Sequence, residues 1–115
     1  MKYKRPEAEI REAIIDKFIM RGIKIKRLEN SICGRHKSFP DLWFFDPITR
    51  IAGWIEVKSK TGTLSKGEDS QEEFRDLCKL CNVNHWVVRS LDEAIDATGR
   101  LEYDSERLKA VEFNP

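Results

Sequence analysis

The chain has 115 residues, of which 40% are hydrophobic and 36% charged, with 21 Lys and Arg against 20 Asp and Glu. That length suits one domain with a modest core. The mix of apolar and charged residues excludes a disordered chain, and no apolar run is long enough to cross a bilayer. Three cysteines, Cys33, Cys78 and Cys81, cannot all pair and fit a reducing compartment. The start, Met1-Lys2-Tyr3-Lys4-Arg5, leads into an amphipathic helix and not a signal-peptide pattern, so a cytoplasmic location and no membrane contact are expected. A net charge of +1 excludes an overwhelming pull on polyanions. The charge is uneven, however: Arg21, Lys24, Lys26, Arg27, Arg35 and Lys37 face Glu29 alone, while the chain beyond Leu91 is mostly acidic. One basic face is expected.

In chain order, the first predicted element is a helix from Pro6 to Met20, with Pro6 in its first turn and Gly22 at its C-terminal cap. Ile10, Ile14 and Phe18 recur at helical spacing, and Ala13 and Ile15 widen the stripe. Stepping back along the stripe at about 100° per residue reaches Glu7, whereas Glu9 and Glu12 fall off its centre. Glu7 is then either an ordinary acidic partner of the helix dipole or a carboxylate directed at the layer beneath. Ile23 to Leu28 alternates apolar and basic residues, which predicts a strand with one solvated, positive face. The following polar segment, Glu29 to Ser38, reads as a loop whose Arg35 and Lys37 are either solvated or phosphate contacts.

Two aromatic and β-branched runs come next, Leu42 to Phe45 and Ile51 to Val57, separated by Asp46-Pro47-Ile48-Thr49-Arg50. This is a predicted hairpin. Centring the turn between Ile48 and Thr49 pairs Phe45 with Ala52, Trp43 with Trp54 and Asp41 with Glu56. Period-two alternation puts Asp41, Glu56 and Lys58 on one face. Opposed carboxylates repel across a sheet, and a divalent cation is the economical remedy. Glu56 and Lys58 could instead be an ordinary surface ion pair, but Trp54, Ile55 and Val57 around them indicate a central strand, where a charged pair is expensive unless used. The aromatic residues Trp43, Phe44, Phe45 and Trp54 read as core more than as base-stacking platforms.

After the hairpin a loop with Lys60 and Lys66 leads to Ser70, whose spacing to Glu73 is that of a capping box for a helix from Gln71 to about Cys81, ended by a left-handed Asn82. Val83 to Arg89 is a fourth strand, and Ser90 with Glu93 caps a helix from Leu91 to Ala97. His85 reads as a strand residue with no catalytic duty. Residues 99–115 read as an extension that packs on the domain, residues 1–98, or on a partner. Cys33-x-x-His36 and Cys78-x-x-Cys81 together have zinc-ligand types, but Cys78 and Cys81 fit the buried face of their helix, where a free Cys behaves as a small hydrophobe.

The order helix, three strands, helix, strand, helix, with Pro40-Asp41, Glu56-Val57-Lys58 and Gln71, resembles the PD-(D/E)XK nuclease superfamily. More narrowly it resembles the VRR-NUC domain, the virus-type replication-repair nucleases. The likeness covers about residues 7 to 95: an early helical Glu, a basic strand and loop, Pro40-Asp41-Leu42, Trp54 to Lys58, Leu64-Ser65 before a helix led by Gln71, and Val88-Arg89-Ser90. The chain departs from the pattern at Phe39, where Gly is usual, in a longer interval between Ser65 and Gln71, and at Cys81-Asn82. The resemblance implies an α/β (α+β) restriction-endonuclease-like αβββαβ core with a mixed four-stranded sheet. It implies metal-dependent hydrolysis of DNA, with Asp41, Glu56, the Val57 backbone carbonyl and Glu7 at Mg²⁺ (or Mn²⁺), Lys58 and Gln71 completing the catalytic set, and Lys26, Arg27, Arg35, Lys37, Lys60 and Lys66 contacting DNA. Stand-alone phage-type members further imply a homodimer cutting branched DNA such as Holliday junctions. A monomeric flap- or nick-directed nuclease and a catalytically silent DNA-binding module are the competing readings.

Overall fold

The computed structural model describes residues 6–28, 38–100, 104 and 106. Among them are α1 (Pro6–Met20), β1 (Lys24–Arg27), β2 (Leu42–Asp46), β3 (Ile51–Val57), α2 (Gln71–Leu80), β4 (His85–Val88) and α3 (Leu91–Ala97). The sheet runs β1-β2-β3-β4, antiparallel across the first two pairings and parallel between β3 and β4. This is the expected mixed αβββαβ arrangement. Strands β1 and β4 are each shorter than their apolar patterns suggested. Arg35 and Lys37, together with Cys33 and His36, lie outside the described residues, as does most of the extension from residue 99 onward. No described helix is long and apolar enough to cross a membrane.

The helix ends follow local chemistry. Gly22 takes φ +74 after α1, a conformation that glycine enters without steric penalty. The Ser70 and Ser90 hydroxyls accept the Glu73 and Glu93 amides at 3.1 and 3.2 Å, and Asn82 at φ 57 ends α2. The β2–β3 turn is built on Asp46, whose Oδ1 accepts the Ile48 amide at 2.9 Å and the Thr49 amide at 3.4 Å. That turn produces the pairs Trp43 with Trp54 and Phe45 with Ala52.

One sheet face carries Leu42, Phe44, Ile55, Val57 and Val88 and packs beneath α1 and α3 through Ile14, Phe18, Ala94 and Ile95. Phe18 meets Phe44 edge-on at 5.6 Å. Each of the buried Leu, Ile, Val and Phe side chains among them contributes on the order of 1.5–3 kcal/mol of transfer free energy. The opposite face carries Trp43 and Trp54, and α2 lays Phe74 against Trp54 at 5.5 Å. Gly53 allows β4 to come close, because a Cβ there would lie 2.6 Å from the Trp86 ring and 2.7 Å from Asn84. At the far end of the sheet Asp46 and Arg100 form a buried two-point pair, with Arg100 Nε donating to Oδ2 at 2.6 Å and Nη2 to Oδ1 at 3.1 Å. Burial acts to raise the Asp46 pKa, yet the Arg100 hydrogen bond and the two turn amides outweigh it and hold it below the usual carboxylate value.

Candidate active site

The β2–β3 ladder ends at Leu42 opposite Ile55. Beyond it each strand completes the other with a side chain: the Asp41 amide donates to Glu56 Oε2 at 3.1 Å, and the Val57 amide donates to Asp41 Oδ2 at 3.0 Å. Two carboxylates are thereby held side by side at the sheet end, each satisfying a backbone donor that would otherwise be orphaned. The expected pairing of Asp41 with Glu56 on one face holds, and Val57 contributes its amide through this bond.

Glu56 is 2% exposed. Burial first, and the Asp41 charge second, push its pKa up to about 8, against the pull of Lys58. Lys58, two residues on from Glu56 and just beyond the end of β3, brings Nζ to 3.7 Å from Glu56 Oε1. Gln71, the first residue of α2, donates from Nε2 to the same oxygen. The interval before Gln71 is long, yet Gln71 is held in place by reciprocal bonds with Ser65. The Ser65 amide donates to Gln71 Oε1 at 3.1 Å, and the Gln71 amide donates to Ser65 Oγ at 2.9 Å. Phe39 packs on Trp54 at 5.8 Å and on Phe74 at 4.7 Å, joining the segment before Pro40 to α2.

The structure thus brings Asp41, Glu56, Lys58 and Gln71 together. Glu7 faces inward as its place on the stripe predicts, while Glu9 and Glu12 are exposed. Its Oε1 accepts the Ser59 amide at 3.4 Å, one residue beyond Lys58. Among the described residues no group of three or more His, Cys, Asp and Glu side chains is set to hold a metal, and Glu7 contacts the loop that follows Lys58. Lys26 lies on the Asp41 face, because it pairs with Trp43, and Arg27 lies on the other. Both are exposed, as are Lys60 and Lys66 in the loop. His85 sits on the site face against Phe74 at 6.2 Å, and burial, then the Arg75 charge, lowers its pKa.

Two contributors escaped the sequence reading. Arg11, one helical turn after Glu7, places Nη1 3.6 Å from Asp41 Oδ1, and its buried Nε has no partner among the described residues. The i, i+4 spacing from Glu7 was the signal that could have found it. Arg89, at the end of β4, donates through Nη1 to the Ser59 and Gly62 carbonyls, both at 2.6 Å. With Glu7 it clamps the turn immediately after Lys58.

No protein-family model and no curated protein matches the sequence. A solved structure described as a VRR_NUC domain is similar, with a TM-score of 0.61 and 21% identity over 81% of this chain and 94% of that one. The chain therefore has the VRR-NUC domain fold, an α+β sheet flanked by helices with its paired carboxylates at the end of β2 and β3.

Proposed function

We propose that the protein is a divalent-metal-dependent nuclease that hydrolyses phosphodiester bonds in DNA. The observation that carries this reading is the reciprocal arrangement of Asp41 and Glu56, with Lys58 and Gln71 converging on Glu56. The donor set suits Mg²⁺ or Mn²⁺: two hard carboxylates on adjacent strands, one of them buried and pushed up to a pKa of about 8, stand in a place where added positive charge would relieve both burial and repulsion.

A bound Mg²⁺ would lower the pKa of a coordinated water and neutralise phosphate charge. Asp41 and Glu56 would hold it, with their orientation already set by the Val57 and Asp41 amides. Gln71 fixes the Glu56 carboxylate so that it need not reorganise during reaction. Lys58 holds its ammonium at the edge of the site, placed to orient an attacking water or to stabilise charge gathering on the phosphate oxygens. The turn clamp of Glu7 and Arg89 keeps the backbone after Lys58 in register. In its finer form, the proposal is that branched DNA such as a four-way junction is the substrate and that a homodimer cuts its two strands. It rests on the resemblance to stand-alone VRR-NUC nucleases.

Cleavage of labelled duplex, flap, splayed-arm and four-way substrates with Mg²⁺, Mn²⁺ or EDTA tests the reading. Metal-dependent cleavage, abolished in Asp41→Ala and Lys58→Ala with DNA binding retained, is expected. Absence of cleavage on every substrate, or full activity in either variant, would sink it. Light scattering that gives only the monomer mass would remove the dimeric form of the proposal.

A further inference from the structure

The sheet face that carries Asp41 and Glu56 is only half covered. Its β3 and β4 side lies beneath α2, where Phe74 packs on Trp54 and His85. Its β1 and β2 side carries Lys24 opposite Phe45 and Lys26 opposite Trp43, and no described element covers it. Both lysines are exposed, Trp43 is half-buried, and Phe45 is 47% exposed although β2 is an interior strand. The Phe45 ring has no ring partner among the described residues, whereas Trp43 meets Trp54 at 4.9 Å. The expectation that Phe45 belongs to the core is therefore corrected. It alternates with Phe44, and only the Phe44 side of the sheet is roofed by α1.

The residues of this face form rows across the strands: Lys24, Phe45 and Ala52; then Lys26, Trp43 and Trp54; then Asp41 and Glu56. At a strand rise of about 3.4 Å per residue, Trp43 lies roughly 7 Å and Phe45 roughly 14 Å from Asp41 along β2. An aromatic strip edged by ammonium groups, leading straight into paired carboxylates, has the composition of a surface on which unpaired bases stack while lysines neutralise the phosphates. A duplex cannot use such rings, because its bases are already stacked on one another.

We propose that Trp43 and Phe45, with Lys24 and Lys26, form a stacking platform for an unpaired DNA strand on the approach to the Asp41–Glu56 site. This inference deepens the nuclease reading, but its test reads binding alone. Fluorescence anisotropy of a labelled single-stranded oligonucleotide and of its duplex is measured in EDTA, for the whole chain and for Phe45→Ala, Phe45→Tyr and Lys24→Ala/Lys26→Ala. Phe45→Ala should weaken single-strand binding roughly 5- to 150-fold, the range for losing one stacked base, and leave duplex affinity unchanged. Phe45→Tyr should restore it. The double lysine variant should lower the slope of log affinity against log salt by about 1.4, the share of two phosphate contacts on a single strand.

Equal losses on both substrates, or none on either, would overturn the platform, once circular dichroism has shown each variant folded. So would sedimentation showing that Phe45→Ala dissolves a dimer without changing oligonucleotide binding, because the face would then belong to a second copy. Single-strand binding that depends on Phe45, without Mg²⁺-dependent cleavage of any substrate, would keep the platform and refute the nuclease. Cleavage with Phe45-independent binding would do the reverse.

Discussion

Metal binding at Asp41 and Glu56 should release a proton, and the amount released should fall with pH in a way that the site dictates. In the metal-free protein Glu56 has a pKa of about 8 against an ordinary 4.5, because burial and the Asp41 charge outweigh Lys58. Coordination requires the carboxylate form. A group with that pKa is protonated to about nine-tenths at pH 7, about one-half at pH 8 and about one-tenth at pH 9. Calorimetric titration with Mn²⁺, repeated in buffers of different ionisation enthalpy, should therefore report most of a proton released at pH 7 and little at pH 9. The apparent affinity should climb almost tenfold per pH unit up to about pH 8 and then level off.

The stability of the metal-free protein should move in the opposite sense. A carboxyl whose folded pKa lies above its unfolded value binds its proton more tightly when folded, so its contribution is complete below about pH 4.5 and is lost as pH rises towards about 8. Saturating Mn²⁺ should consequently raise the melting temperature more at pH 8 than at pH 6. Near-zero proton release at pH 7 with a flat affinity profile would refute this reasoning, since it would mean that Lys58 and Gln71 already keep Glu56 ionised.

Arg89→Ala should free the turn after Lys58, raising amide hydrogen exchange at Ser59 and Gly62 and lowering kcat more than it raises KM; unchanged exchange would dismiss the clamp. Arg100→Ala strands the buried Asp46 carboxylate and should destabilise the fold by about 3–5 kcal/mol in urea unfolding, while a loss under about 1 kcal/mol would mean that water reaches Asp46 freely. Cys81 is exposed, and Cys78 is buried with its thiol pushed up by burial and then by the Cys81 charge. A thiol reagent should label Cys81 well before Cys78 in the folded chain, and equal rates would show that α2 does not pack as described.

What was legible in the sequence was what adjacent residues decide. Asp46-Pro47 set the hairpin turn, the turn set the register, and the register brought Asp41 opposite Glu56. Ser70 with Glu73 and Ser90 with Glu93 marked the starts of α2 and α3 for the same local reason. Contacts spanning distant segments were not legible. Nothing near Asp46 announced Arg100, 54 positions away, and Asp46 read as a turn residue alone. Arg89 stood in the fragment that supported the family likeness, but its role required knowing that residues 59 to 62 fold back beside β4. Phe45 was misassigned because alternation tells which residues share a face and leaves open whether another layer covers that face.

The site combines both kinds of information. Local patterning exposed a conflict, two carboxylates and a lysine at the end of a hydrophobic strand, and such conflicts between local rule and global fold gather where function is carried. Its resolution comes from distant segments. Gln71 arrives from the layer over one face and Arg11 from the layer over the other, and they meet because the β2–β3 ladder stops one pair short of Asp41 and Glu56. A ladder that ran on to Pro40 and Val57 would have given the Val57 amide a backbone carbonyl, and Asp41 would have lost the bond that now fixes its carboxylate. The early end of the pairing is thus what turns an unfavourable cross-strand pair into a fixed two-carboxylate site.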